Sequence, residues 1–133
     1  MSDSIGYDKP HQLMPIAASA GISVPGTAAS ATVLVRLRVP HSMTIDGATI
    51  AIPTGGTAAG PTVAIQKSLG GTGTATNVGT YNVGTAADDA SAALTITNTN
   101  FVAGDHLLIT NLAGTAASTP KVNLLIKWKE EVA

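Results

Sequence analysis

The 133-residue chain has no cysteine, which excludes disulfides and thiolate chemistry and leaves no redox clue to its compartment. Aromatic residues make up only 3% and charged residues only 11%, against 44% hydrophobic. Any core must therefore be assembled from Val, Ile, Leu and Ala. Small aliphatic side chains bury less area each, at about 25 cal/mol per Å². Such a core is thin for its length, so support from a partner or from self-association is expected. The formal net charge of −1 gives no broad attraction to nucleic acid or to an anionic membrane. The opening Met1-Ser2-Asp3-Ser4 lacks a basic stretch followed by an apolar one, so no signal peptide is expected. No apolar run approaches the ~18 residues of a membrane-spanning helix. Sustained helical spacing of apolar residues is missing as well.

What is present reads as strands. Length alone suggests one domain. Residues 1–11, MSDSIGYDKPH, are polar and aperiodic and read as an arm. Residues 12–24 hold Leu13, Ile16, Ile22 and Val24, broken by Pro15 and Gly21, and suggest an irregular edge strand. An arm and edge strand over 1–24 and a main domain over 25–133 follow. In Thr32–Val39 the side chains Val33, Val35, Leu37 and Val39 alternate with Thr32, Leu34, Arg36 and Arg38. Met43–Ile52 carries Met43, Ile45, Ile50 and Ile52, with Asp46-Gly47 as a bend or bulge in mid-run. Thr62–Leu69, Thr76–Val83 and Ala92–Thr99 follow as further strands. Asp105–Leu112 and Lys121–Trp128 flank a Gly-, Thr-, Ala-rich loop and read as a long-looped antiparallel hairpin. Eight candidate strands joined by Gly- and Pro-rich turns indicate an all-β antiparallel sandwich or barrel.

The tetrapeptide Gly-Thr-Ala-Ala recurs with its glycine at positions 26, 56, 84 and 114, at spacings of 30, 28 and 30 residues. Two strands fit between successive copies. If each strand crosses the sandwich once, all four copies lie at one end. The turns near Pro40-His41, Gly70–Thr74 and Asn100–Gly104 then lie at the other. A stacked repeat array would also give a period, but the intervening strands share no motif.

Catalytic and metal-binding patterns are sparse. His11, His41 and His106 have no metal-ligand spacing. Asp88-Asp89 lacks the spaced acidic pattern of a calcium loop. Gly71-Thr72-Gly73 is not followed by the Lys or the helix of a phosphate cradle. No Gly-x-Ser-x-Gly elbow occurs. The chain is read as not an enzyme, with no cofactor and no metal. Arg36 and Arg38 share a strand face and are either an anion contact or solvated charges. Three runs, Val33-Leu34-Val35, Leu107-Leu108-Ile109 and Leu124-Leu125-Ile126, place aliphatic side chains on both faces. One face can enter a core. The other would be an exposed patch of a kind monomers seldom tolerate, covered either by the N-terminal segment or a loop, or by a subunit or partner. Leu34, Leu125 and Leu107 or Ile109 are the expected interface residues, with the first of these strands paired to the last.

From Val33 onward the order of features resembles a family of small jelly-roll modules in tailed-phage structural proteins. The matching stretches are Val39-Pro40-His41-Ser42-Met43-Thr44-Ile45, Ala51-Ile52-Pro53-Thr54-Gly55-Gly56, Thr62-Val63-Ala64-Ile65-Gln66-Lys67 and Phe101-Val102-Ala103-Gly104-Asp105-His106-Leu107. The Gly-Thr-Ala loop and the closing Val122–Trp128 strand complete a match over about 100 residues. Ser68-Leu69-Gly70-Gly71 departs from the Asn-Gly that often follows this strand in the family. The resemblance implies a jelly-roll sandwich of about eight strands and a virion structural protein. Family members serve as capsid decoration proteins, fibre heads and baseplate parts. No heptad shaft, collagen-like repeat or second domain is found, which favours a decoration, or cement, protein on the outer capsid surface. The implied partners are the major capsid protein and further copies of the chain, a trimer by resemblance. The implied location is the virion surface, after synthesis in the host cytoplasm. The arm residues Ile5, Tyr7, Asp8 and Lys9 are the expected capsid contacts. The alternative is a tail, baseplate or fibre module that binds a receptor or glycan, for which Tyr7, Tyr81 and Trp128 are few and scattered.

Overall fold

In the computed structural model, residues 12–16, 21–24, 27–28, 32–55, 62–71, 74–83, 86–112, 114–115 and 120–130 are described. They form two antiparallel sheets. The larger runs β1 (Gln12–Ile16), β12 (Lys121–Glu130), β5 (Met43–Thr54) and β8 (Ala90–Ala93), with β2 (Ile22–Ser23) on β12 and β9 (Asn100–Phe101) on β5. The smaller runs β4 (Thr32–Arg38), β10 (His106–Leu112), β6 (Thr62–Ser68) and β7 (Thr76–Asn82). A short pair, β3 (Thr27–Ala28) with β11 (Gly114–Thr115), stands apart. Counting only the principal strands in chain order, the two sheets read 1-8-3-6 and 2-7-4-5. This is the two-Greek-key order of a jelly roll.

The core is aliphatic, as the composition requires. Val39, Met43, Ile45, Ile50, Ile52, Val63, Ile65, Val78, Leu107, Ile109, Val122, Leu124 and Ile126 are buried between the sheets, and Phe101 is the one aromatic residue among the fully buried side chains described.

Strands β10 and β12 do not form the expected hairpin. β10 pairs with β4 and β6, and β12 pairs with β1 and β5. A two-residue turn fixes local pairing; a connection as long as 113–120 lets each strand take a central place in a different sheet. The strand expected over 92–99 is also revised. β8 ends at Ala93, and the chain leaves the β5 ladder after Leu94 N–H donates to Ala48 O at 2.9 Å. Thr97 N–H then donates across the sandwich to Val78 O of β7 at 2.8 Å, and Thr99 O accepts from Ile45 N–H at 3.0 Å. Asn98, at φ 53°, donates its Nδ2 to Asn77 O at 3.0 Å. Residues 94–99 therefore strap the two sheets together along one flank.

Strand directions place the Gly-Thr-Ala-Ala copies as expected where they are described. Gly114-Thr115 pairs with Thr27-Ala28. Gly55, just before the second copy, packs against Ala86 and Ala87 of the third, and its N–H donates to Asp88 Oδ1 at 2.8 Å. The strand ends flanking all four copies lie at one end, because Thr32 is opposite Asn111, Thr62 opposite both Leu112 and Asn82, and Lys121 opposite Thr54. Gly26, Gly56 and Gly84 themselves lie outside the described residues.

Candidate functional site

The end opposite those loops is built around Asp105. The residue is buried, and its carboxylate accepts from Gly70 N–H at 3.1 Å through Oδ1 and from Val102 N–H at 3.0 Å through Oδ2. Its carbonyl accepts from Val39 N–H at 2.8 Å, and Gly104 N–H donates back to Val39 O at 2.9 Å. One residue thus holds three turns: 39–42, 69–71 and 102–105. Asp105 has the role of a local turn residue in sequence. Its long-range role is visible only when the three turns are brought together.

On the outer face of the smaller sheet beside this end lie Arg36, Arg38 and His106. His106 is opposite Arg38 on one side and Ser68 on the other. Arg36 Nη1 lies 2.9 Å from His106 Nδ1, so the guanidinium donates and that ring nitrogen accepts. Gln66 Nε2 donates to Asn77 Oδ1 at 2.7 Å on the same face. Leu108 lies between Arg36 and Gln66 in register, and it is buried although it points away from the Leu107 and Ile109 side.

The expected interface residues do not converge. Leu107 and Ile109 belong to the core. Leu34 is half-buried and packs against the core from the smaller sheet. Leu125, 41% exposed, lies on the outer face of the larger sheet. The expected pairing of the Val33–Val35 strand with the last strand is corrected, because β4 sits beside β10. A β-bulge is the physical reason why Leu34 misled. Val33 is opposite Thr110 and Val35 opposite Ile109, so Leu34 is the extra residue and turns inward with its neighbour. Leu125 does have an apolar setting. Pro15 stands opposite it, and Leu13, 61% exposed, follows two residues away on the same edge strand. Lys127 and Asp46, 3.7 Å apart, border the patch. The arm residues Ile5, Tyr7, Asp8 and Lys9 lie outside the described residues.

Among the described residues no group of three or more His, Asp or Glu side chains could hold a metal ion. His41 packs its ring against Trp128 at 5.6 Å between centroids. Asp88 caps the Gly55 amide, and Asp89 N–H donates to Ile52 O at 2.8 Å. Lys67 donates to Asn100 O at 2.8 Å and lies 5.6 Å from the Phe101 ring centroid. These charged and polar groups shape turns and ladders.

No family model matches the chain, and no curated protein matches it in sequence. Among solved structures, a chain of the cyanophage Pam1 capsid asymmetric unit is 18% identical, with a TM-score of 0.57 over 98% of this chain and 92% of that one. A chain of infectious bursal disease virus, Gx strain, is 15% identical with a TM-score of 0.40, over 90% of this chain and 33% of that one. The first comparison is a likeness of fold along nearly the whole of both chains. The second, at its score, adds nothing to it. The fold, a jelly-roll sandwich, is shared with that chain of the capsid asymmetric unit.

Proposed function

We propose that the protein is a virion structural protein, and within that class a capsid decoration protein that binds the outer surface of the head and stabilises it. The observation that carries the reading is the fold shared end to end with a chain of a cyanophage capsid asymmetric unit, on a chain of nearly the same extent. The sandwich has an aliphatic core, three turns locked by one carboxylate, and a flank closed by residues 94–99. Such a body transmits force between neighbours without needing a catalytic cleft. Its contacts with the major capsid protein would tie capsomers together and raise the barrier to shell rupture. In this reading residues 1–11, with Ile5, Tyr7, Asp8 and Lys9, form a capsid-contacting arm, and copies of the chain associate through the exposed face around Leu125.

Electron microscopy of particles of the encoding virus, with and without this gene, tests the proposal. Density for the sandwich on the outer shell, lost in the deletion, is expected. Density at the tail tip would overturn decoration in favour of a tail or fibre module, and density nowhere on the particle would overturn the virion role altogether.

A further inference from the structure

Three turns meet at the Asp105 end, and their exposed side chains are apolar. Leu69 is 62% exposed and Val102 57% exposed, the largest values among big hydrophobic residues described apart from Leu13. Each is bound to the same carboxylate through the backbone, Leu69 through the next residue's N–H and Val102 through its own. Pro40 and Ala103 are exposed on the neighbouring turns. The apolar tip is therefore pre-organised: its backbone is already fixed, so burying it costs little ordering. Cations stand beside it. Arg38 is opposite His106, which is opposite Ser68, the residue before Leu69. The Arg38 guanidinium also lies 3.8 Å from where a Cβ on Gly104 would sit. Arg36 is bonded to the His106 ring, and neither arginine has a carboxylate partner among the described residues. An apolar centre with a charged, unneutralised border is the anatomy of a protein-docking patch.

We infer that the turn end, centred on Leu69 and Val102 and bordered by Arg36 and Arg38, is the surface by which this protein docks onto a partner protein presenting an apolar pocket edged by carboxylates. Two guanidiniums without a carboxylate partner, on a face whose described residues carry no acid, call for a partner with acidic groups, and bidentate carboxylate is the group their geometry fits. On the proposed function, which this inference extends, the partner is a capsid subunit.

The test uses the full recombinant chain and purified particles of the encoding virus assembled without this gene. Co-sedimentation is measured for the wild type, for Leu69→Ser/Val102→Ser and for Arg36→Glu/Arg38→Glu, with thermal unfolding as the check on folding. Wild-type binding, weakened tenfold or more by each double variant and weakened by salt, is the expected result. Wild-type binding equalled by both folded variants overturns the docking end and leaves the virion role standing. If the leucine–valine variant fails to fold, the arginine variant alone decides. No wild-type binding overturns the virion role and this inference with it. Self-association of the wild type in light scattering, abolished by the same variants, would assign the surface to a second copy and overturn the inferred partner.

Discussion

A carboxylate taken out of water needs donors, and Asp105 has Gly70 N–H and Val102 N–H, one for each oxygen. Removing it leaves both amides without their acceptor. Asp105→Ala should cost about 2–4 kcal/mol, since hydrogen bonds to a charged group are each worth roughly 1.5–3 and some solvent reaches exposed turns. Asp105→Asn should also be destabilised, because one oxygen becomes an NH₂ facing an N–H. Denaturant midpoints of the two variants check this; an Asn variant as stable as the wild type would show that one acceptor suffices. Two glycines give a sharper contrast. A Cβ on Gly55 would overlap the Ala86 carbonyl oxygen, a backbone atom with nowhere to go. One on Gly70 would meet nothing within 4 Å, and only its φ of 61° opposes a side chain. Gly70→Ala should cost about 1 kcal/mol, the left-handed penalty, and Gly55→Ala clearly more, because the loop of residues 86–88 must move. Equal unfolding midpoints would contradict the close approach. Gly55 was legible in the sequence only as part of a turn. That it touches the third Gly-Thr-Ala-Ala copy depends on long-range packing that no local pattern encodes.

At the scale of strands, bulges explain both what the sequence discloses and where it misleads. A strand with one buried face must keep its apolar residues at even spacing, and an extra residue is the device that restores the phase. Ile45 and Ala48 are both buried because Asp46 is extra: Trp128 is opposite Ile45 and Lys127 opposite Gly47. The Asp-Gly pair made this bulge readable in advance. Val78 and Tyr81 both lean on the core for the same reason, with Gly79 opposite Ile65 and Asn77 opposite Gln66. Leu34 has no turn chemistry to announce it, so a run of three aliphatics reads as a two-faced strand when it is a bulged one. Strand positions other than 92–99, and the arrangement of loop ends, were legible because alternation and turn residues are local. The partners of β10 and β12 were not, since long connections leave pairing to the global packing. The edges are managed by different means. β1 is short and carries Pro15, β8 has four residues, β7 is sealed by the Thr97 bond, and β4 bears its bulge with Arg36 and Arg38. Native-state hydrogen exchange should follow this hierarchy. Amides of β10 and β12, each paired on both sides, should open only with global unfolding, and those of β1 and β8 well below it. Comparable protection in β1 and β12 would contradict the ladder order.

For the whole molecule the question is whether another copy covers an exposed face. The larger sheet presents Leu13, Pro15 and Leu125 outward, with the Lys127–Asp46 pair at the margin. Pro15 and Leu125 are directly opposite one another, so the apolar area is continuous across two strands. The Lys127–Asp46 pair at its margin offsets one cation with one anion. A homo-oligomer, with a trimer as the state the family resemblance suggests, is proposed to bury this face. Each leucine taken fully out of water would contribute roughly 1.5–3 kcal/mol. Leu125→Asp would instead place a carboxylate in that contact, where desolvation without a partner is costly, and should turn an oligomer into a monomer. Since Leu125 points away from the core, the sandwich should stay folded. Lys127→Asp is the control on the same strand face. It removes an ion pair between half-exposed groups, worth about 0–1 kcal/mol, and sets two carboxylates side by side in water. Sedimentation velocity of the three proteins should show wild-type mass for Lys127→Asp and a lower mass for Leu125→Asp. If Leu125→Asp keeps the wild-type mass and unfolding midpoint, the face is not an interface between copies. The Asp105 end, with its fixed turns and unneutralised arginines, would then stand as the surface through which the molecule meets its neighbours.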